Sequence, residues 1–225
     1  LKAGLAYSTV LTTVSRTYAE EIKTDFYGEN LQGLIRRRAS DLYGIVNGID
    51  YESNNPETDE RIYRKYSVHD LEGKYENKRR LQQDTGLEVR PDTPLVAIIS
   101  RLTQQKGFDL IEYMMPELMD LDIQLIILGT GEQRYENHFR WAQSRYPGRV
   151  SANICYDPVL AQRIYAGSDM FLMPSLFEPC GLSQLFSMRY GTVPIVRETG
   201  GLKDTVVPYN KYTGEGTGFT FANYN

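Results

Sequence analysis

The sequence of 225 residues contains few of the residues that cross-link chains or bind metals. Its two cysteines, Cys155 and Cys180, cannot form a disulfide framework, which argues against a disulfide-stapled secreted domain and favours a reducing cytoplasm. Its two histidines, His69 and His138, are too few for a histidine-rich metal site. We therefore expect a cytoplasmic protein without a metal centre.

Long hydrophobic runs and an excess of positive charge are absent as well. The longest apolar runs have the length of a strand, far below the ~20 residues of a membrane-spanning helix. These runs are Leu95–Ile99, Leu125–Leu128 and Met170–Met173. Lys and Arg number 25 against 29 Asp and Glu, so the net charge is −4. That balance argues against a nucleic-acid-binding protein, and we expect neither nucleic acid nor membrane as a partner.

From Leu95 onward, the sequence alternates regularly between strand-like and helix-like segments. Leu95–Ile99 is apolar throughout, as in a buried strand, and Phe108–Leu121 has apolar residues at helical spacing. Further predicted strands are Ile123–Leu128, Val150–Ile154, Asp169–Met173, Val193–Val196 and Gly218–Phe221. Further predicted helices are Glu132–Tyr146, Pro158–Ala166, Leu182–Tyr190 and a short one from Leu202. This alternation predicts an α/β fold, a parallel sheet with helices on both faces.

The first part of the chain has a different pattern. It predicts strands at Leu11–Val14 and Leu42–Val46, a helix that starts at a capping box of Thr17 and Glu20, and a helix at Leu31–Ala39. A loop rich in Asn, Pro and Asp follows. We expect a domain boundary here, with residues 1–46 as the tail of a preceding domain and 47–225 as most of a second. The chain opens at Leu1 and stops at FANYN without a closing element, so we expect part of a longer protein.

Four loops of unusual composition follow strands of the predicted sheet. They are SRLTQQKG at 100–107, GTG at 129–131, FEPCGL at 177–182 and ETGGL at 198–202. Ligands of an open parallel sheet bind at the carboxyl ends of its strands. We therefore expect all four loops to converge on one cleft.

These loops carry groups suited to a diphosphate. Arg101 presents a fixed fork of donors to phosphate oxygens, and Lys106 adds a mobile positive charge. Gly200 and Gly201 precede a predicted helix, where free backbone amides attract anions. Glu178 would repel phosphate, so it faces sugar hydroxyls or a developing cationic sugar carbon. A simpler interpretation makes Arg101 and Lys106 solvated surface charges and Glu178 a turn residue.

Taken in this order, the motifs SRLTQQKG, FEPCGL and TGGLKDT make the chain similar to the glycogen/starch synthase family, glycosyltransferase family 5. Other matching stretches are LKAGLAYSTVLTTVSRTYAEEI, VNGIDY, ILGTGE and GTGFTF, so the resemblance covers essentially the whole sequence. Related retaining transferases often carry a second glutamate eight positions after the first. Phe186 stands there in this chain, which favours family 5 over its neighbours.

The resemblance implies a GT-B fold, in which two Rossmann-like domains face each other across a cleft. It also implies retaining transfer of glucose from ADP-glucose to the 4-hydroxyl end of an α-1,4-glucan, with no cofactor or metal. The expected partners are thus ADP-glucose or ADP and the glucan. The family's first domain carries a lysine-bearing KTGGL motif and a catalytic-site histidine that this sequence lacks. We therefore expect the chain alone to bind nucleotide weakly and to transfer little or no glucose.

Residue roles carry over from the family by position. Arg101 and Lys106 match its diphosphate-binding pair, and Glu178 matches its essential carboxylate near the donor glucose, so these three are the expected catalytic residues. The expected substrate-binding residues are Cys180, Gly181, Leu182 and Ser183 in a donor-contacting loop; Thr199, Gly200, Gly201 and Leu202 in a loop near the phosphates; Tyr156, stacking on adenine; and Asn47, facing the sugar or acceptor. Cys180 is expected to be a small buried or cleft-lining residue rather than a nucleophile.

Two other interpretations stay open from the sequence. A retaining GT-B transferase that uses UDP-glucose is one, because Tyr156 would stack on any base. A non-catalytic nucleotide- or glucan-binding module is the other, and the intact trio of Arg101, Lys106 and Glu178 disfavours it.

The family usually has a tryptophan after the hinge, whereas this chain has Ser53 and Asn54, so local packing there is expected to differ.

Overall fold

The computed structural model describes residues 1–225 and contains two parallel sheets. The smaller sheet pairs β1 (Leu11–Thr13) with β2 (Leu42–Gly44), and Leu11 lies opposite Leu42. The helices of this part are α1 (Lys2–Tyr7), α2 (Arg16–Glu21) and α3 (Gln32–Arg37). The two strands and the two helices expected here are confirmed.

The larger sheet has six strands, all parallel. They are β3 (Leu95–Ile99), β4 (Gln124–Leu128), β5 (Val150–Asn153), β6 (Met170–Met173), β7 (Val193–Arg197) and β8 (Phe219–Phe221), in the order β5-β4-β3-β6-β7-β8. The helices between them are α5 (Phe108–Asp120), α6 (Gln133–Arg145), α7 (Pro158–Gly167), α8 (Ser183–Arg189) and α9 (Gly200–Thr205). We label the helix before β3, Glu72–Asp84, α4. The predicted α/β fold is confirmed.

The central strand β3 is buried on both faces of the sheet, which explains its unbroken apolar run. Leu95 and Ala97 pack into a core cluster on one face, together with residues of α4 and α7. Val96 and Ile98 pack into a second cluster on the other face, together with residues of α5 and α6. Helices thus cover both faces, as expected. No helix of the structure is both long and apolar enough to cross a bilayer.

The loop at 45–71 leads from the smaller sheet to α4. Ile62 and Tyr66, both in this loop, belong to the same core cluster as Leu95. The loop therefore packs with the larger sheet. The division of the chain between residues 46 and 47 stays a prediction.

Helix α4 was not expected from the sequence. Its buried face carries the polar residues Asn77, Lys78 and Gln82, so the hydrophobic periodicity that predicts a helix is missing. Asn77 is fully buried, accepts a hydrogen bond from the Tyr63 amide at 2.9 Å and donates to the Arg64 carbonyl at 2.6 Å. Hydrogen bonds to the preceding loop thus compensate the burial of Asn77, and hydrogen bonds to residues 90–93 after the helix compensate the burial of Lys78 and Gln82.

The capping box predicted at the start of α2 is wrong. The N-cap is Ser15, whose Oγ accepts a hydrogen bond from the Tyr18 amide at 2.9 Å. Thr17 instead donates its hydroxyl to Asp204 at 2.6 Å. The local spacing of Thr17 and Glu20 fits a cap, but a partner far along the chain engages the threonine.

Three core tyrosines make the stability of the fold sensitive to alkali. Tyr66, Tyr165 and Tyr190 are all buried in the cluster that contains Leu95. Burial raises the pKa of Tyr165 to about 12 and also raises the pKa of Tyr66 and Tyr190 above the usual value. In the unfolded chain these hydroxyls ionise near pH ~10. Their contribution to stability is therefore complete below pH ~10 and is lost as the pH rises through the folded-state pKa.

We expect the free energy of unfolding to fall by about 1 kcal/mol per pH unit for each buried tyrosine as the pH rises from ~10 to ~12. Urea denaturation at several pH values measures this slope. Tyr165→Phe should make the slope shallower, whereas Tyr113→Phe is the control, because Tyr113 is 78% exposed. Identical slopes for the two variants would contradict the prediction.

Candidate functional site

The candidate site lies where the strand order reverses. After β3 the chain continues to β4 and β5 on one side of β3, whereas β6 pairs with β3 on the other side. The carboxyl ends of β3 and β6 therefore flank a crevice. A small cavity of about 90 Å³ opens there. Its polar lining residues are Ser100, Lys106, Ser175, Glu178 and Ser183.

The small cavity contains an ion pair. Lys106 Nζ lies 2.6 Å from Glu178 Oε2, and the two side chains are only 17% and 8% exposed. The buried hydroxyl of Ser175 donates to the same carboxylate oxygen at 3.3 Å. The sequence placed both charged residues in one cleft, and the structure joins them directly. The charge of Lys106 is thus neutralised by Glu178 in this structure.

A tight turn brings Lys106 into the cavity. Residues Gln104–Lys106 form one 3₁₀ turn, which Gly107 ends with a φ of 81°. A Cβ atom at Gly107 would collide with the carbonyl oxygen of Pro174, next to the end of β6. Only glycine therefore permits both the left-handed turn and the close approach of the two loops. The spacing of Lys106 and Gly107 in SRLTQQKG reflects this requirement.

A larger cavity of about 350 Å³ adjoins the first and shares Ile99 and Ser100 with it. Arg101 and Tyr156 line this second cavity and are exposed, Tyr156 by 90%. The GTG loop after β4 contributes to the same wall. The cavity thus combines an exposed guanidinium, an exposed aromatic ring and room for a ligand of nucleotide size.

The Gly200–Gly201 turn differs from the expectation of free amides. The Gly200 N–H donates to Glu21 Oε1 at 3.0 Å, and the Gly201 N–H donates to the carbonyl oxygens of Glu178 and Pro179, both at 3.1 Å. Both amides are therefore engaged within the protein. The reason for glycine here is close packing on the Glu178 loop rather than an open anion cradle.

The other predicted substrate-binding residues divide between three places. Gly181, Leu182 and Ser183 line the small cavity. The side chains of Cys180, Thr199 and Leu202 are buried and line neither cavity, so they support the loops from behind. Asn47 is exposed and lines a separate cavity of about 460 Å³ beside α8. The structure therefore does not bring Asn47 together with Lys106 and Glu178.

Several residues that shape the site were not found from the sequence. Glu21 reaches Gly200, Ser175 contacts Glu178, and the fully buried Gln184 donates to the carbonyl oxygens of Cys180 and Gly181 at 3.0 and 3.1 Å. Ser175 and Gln184 stand within six residues of Glu178, so proximity to FEPCGL was the available signal. No signal in the sequence pointed to Glu21, because its partners lie far along the chain.

Arg197 at the end of β7 was also missed. Its guanidinium donates to the Leu176 carbonyl at 2.7 Å, which fixes the backbone two residues before Glu178. The ring of Tyr224 lies 5.6 Å from that guanidinium. The last residues of the chain thus help to hold the Glu178 loop.

Comparison with known proteins identifies similar solved structures and similar curated proteins. The chain is similar to the catalytic domain of starch synthase IV from Arabidopsis thaliana, solved bound to ADP and acarbose, with a TM-score of 0.92 and 37% identity over 100% of this chain and 47% of that one. It is 58% identical to a glycogen synthase of Clostridium kluyveri and 60% identical to one of Lachnospira eligens. Each match covers all of this chain and 47% of the relative, so the chain spans about half the length of the curated relatives it matches.

The fold places the chain among the GT-B glycosyltransferases. The family model described as glycosyl transferases group 1 matches residues 80–225, and the model described as starch synthase catalytic domain matches residues 1–37. The chain therefore belongs to the glycosyl transferases group 1 family.

Proposed function

We propose that this chain is the donor-binding part of a cytoplasmic glycogen synthase. The enzyme would transfer glucose from ADP-glucose to the non-reducing 4-hydroxyl end of an α-1,4-glucan, with retention at the sugar carbon. The observation that carries the proposal is the buried Lys106–Glu178 pair beside a larger cavity with Arg101 and Tyr156. The similarity to glycogen synthases, and to a starch synthase bound to ADP and acarbose, supports it.

In this proposal, the nucleotide occupies the larger cavity. Tyr156 stacks on the adenine, which its 90% exposure allows. Arg101 contacts the diphosphate with its fork of N–H donors. The sugar then points across Ser100 into the small cavity, towards Glu178.

Lys106 and Glu178 change partners when the donor binds. An incoming phosphate offers Lys106 a second anion, so the ammonium shifts from the carboxylate to the departing diphosphate and stabilises its charge. Glu178 is then free to accept hydroxyl groups of the glucose or to stabilise positive charge on its reacting carbon. The leaving phosphate takes the proton of the acceptor hydroxyl on the same face of the sugar. The three glycines among the expected substrate-binding residues, Gly181, Gly200 and Gly201, act here as the scaffold of the two loops.

The first 46 residues belong, in the same proposal, to the end of the domain that binds the glucan. The starch synthase catalytic domain model matches within them, at residues 1–37, while the group 1 model matches only from residue 80. Their own sheet of β1 and β2 is separate from the six-stranded sheet. The glucan acceptor would therefore meet the donor between these two parts.

Calorimetric titration of the chain with ADP, UDP and ADP-glucose tests the proposal. We expect ADP and ADP-glucose to bind and Arg101→Ala to weaken both at least tenfold, because a hydrogen bond to a charged group contributes about 1.5–3 kcal/mol. Arg145→Ala is the matched control, since Arg145 ends α6, a helix of 13 residues and about 20 Å, away from both cavities. Tighter binding of UDP would favour a UDP-glucose transferase instead, and equal effects of the two variants would refute the site.

A further inference from the structure

One carboxylate of the first 46 residues reaches the candidate site. Glu21, the last residue of α2, accepts hydrogen bonds at Oε1 from the Thr199 hydroxyl at 2.9 Å and from the Gly200 amide at 3.0 Å. Its second oxygen, Oε2, is buried and has no hydrogen-bond partner. A buried carboxylate oxygen without a donor costs free energy. Stability alone therefore does not account for a glutamate at this position.

The turn that Glu21 holds supports the backbone of Glu178. Gly201 donates its N–H to the carbonyl oxygens of Glu178 and Pro179, and a Cβ atom at Gly200 would collide with the same Glu178 oxygen. The two backbones are thus in direct contact. A displacement of the turn displaces Glu178, whose carboxylate must stay 2.6 Å from Lys106 to keep the ion pair.

Two further contacts hold residues 16–27, the segment that contains Glu21, against the site. Asp204 accepts hydrogen bonds from the Arg16 and Thr17 amides at 2.6 and 3.0 Å, at the start of α2. The ring of Tyr27 packs edge-on against Phe177, the residue before Glu178, with 6.4 Å between ring centroids. Residues 16–27 thus contact the Glu178 loop directly and through the Gly200 turn.

We propose that Glu21 is a positioning residue for the donor site. By holding the Thr199–Gly201 turn, it fixes the backbone of Glu178 and so directs that carboxylate towards Lys106 and the donor sugar. Glu21 itself does not touch the ligand. The inference extends the proposed function, on which it depends for the identity of the ligand, and it makes part of the first 46 residues a component of the donor site.

Glu21→Ala, Glu21→Gln and Glu20→Ala in the 225-residue chain form the test. Glutamine keeps an acceptor oxygen for Thr199 and Gly200, whereas alanine removes it. Glu20 is the matched control, because its side chain lies on the same helix, is 75% exposed and pairs only with Lys23. The measurements are the affinities for ADP and ADP-glucose by calorimetry and the amide hydrogen exchange of residues 177–182 without ligand.

We expect Glu21→Ala to weaken ADP-glucose binding about tenfold and ADP binding less, because Glu178 faces the sugar. Hydrogen exchange at residues 177–182 should accelerate in the same variant. Glu21→Gln should restore both values to within about threefold of the wild type, and Glu20→Ala should leave them unchanged. This rescue separates positioning from a general loss of stability.

Unchanged exchange at residues 177–182 in Glu21→Ala would overturn the inference. Tighter ADP-glucose binding would overturn it as well, since Glu21 would then compete with the ligand for the Gly200 amide. If the wild-type chain binds neither nucleotide, the proposed function fails, and the exchange measurement with its glutamine rescue still decides whether Glu21 positions the Glu178 loop.

Discussion

Replacing Glu178 by glutamine is expected to lower the free energy of unfolding by about 3 kcal/mol. The substitution keeps the shape of the side chain and an acceptor for Ser175, but it leaves the Lys106 ammonium without its counter-charge at a position only 17% exposed. Lys106→Met should cost a similar amount, because it leaves the Glu178 carboxylate unpaired. Urea denaturation of the 225-residue chain measures both values.

The double variant Lys106→Met/Glu178→Gln is the informative control. Once both charges are gone, no buried charge lacks a partner, so we expect its stability to return to within about 1 kcal/mol of the wild type. Binding of ADP-glucose should nevertheless be lost in the double variant, as in both single variants. The loss in the free energy of unfolding of the double variant could instead equal the sum of the losses of the two single variants. In that case the two residues would not be coupled, and the exchange of partners proposed above would have no basis.

Replacing Gly200 by alanine is expected to have the other large effect. The new Cβ would collide with the carbonyl oxygen of Glu178, and the φ of 44° is one that alanine adopts only with strain. Because backbone, not a flexible side chain, blocks the space, the turn must move. We expect a loss of about 3 kcal/mol in the free energy of unfolding, together with loss of ADP-glucose binding.

Gly214→Ala separates the collision from the backbone strain. Gly214 also has a positive φ, 74°, but a Cβ atom there would meet nothing within 4 Å. This variant should therefore lose only about 1 kcal/mol and should bind ADP-glucose as the wild type does. Equal losses in the two variants would show that the Gly200 turn shifts without cost, and that its packing on the Glu178 loop does not position the carboxylate.

The sheet and its helices were predictable because apolar runs and helical periodicity are local properties of the chain. β3 is apolar throughout since both faces of the sheet are covered, and α5 shows its buried side by apolar spacing. Helix α4 has no such signal, because its buried face combines one large apolar residue, Leu81, with the polar residues Asn77, Lys78 and Gln82. Its stability depends on hydrogen bonds to a loop, such as that between Asn77 and Arg64, which a periodicity argument does not detect.

The candidate site was predictable to the extent that its residues stand directly after strands. Lys106 and Glu178 are 72 residues apart, yet the rule for the carboxyl ends of parallel strands predicts that they meet. Contacts that come from outside the sheet follow no such rule. Glu21 and Asp204 link α2 to α9, and neither their spacing nor their surroundings in the sequence indicates a partner.

In the proposed function, the ion pair of Lys106 and Glu178 also divides the kinetics of nucleotide binding between two cations. An approaching diphosphate would meet the exposed charge of Arg101, while the charge of Lys106 is cancelled at short range by Glu178. Exposed charges at a rim govern the rate of encounter, and buried charges that pair after docking govern the rate of escape. We therefore expect Arg101 to set how fast a nucleotide is captured and how strongly that rate falls with ionic strength, and Lys106 to set how long the nucleotide stays.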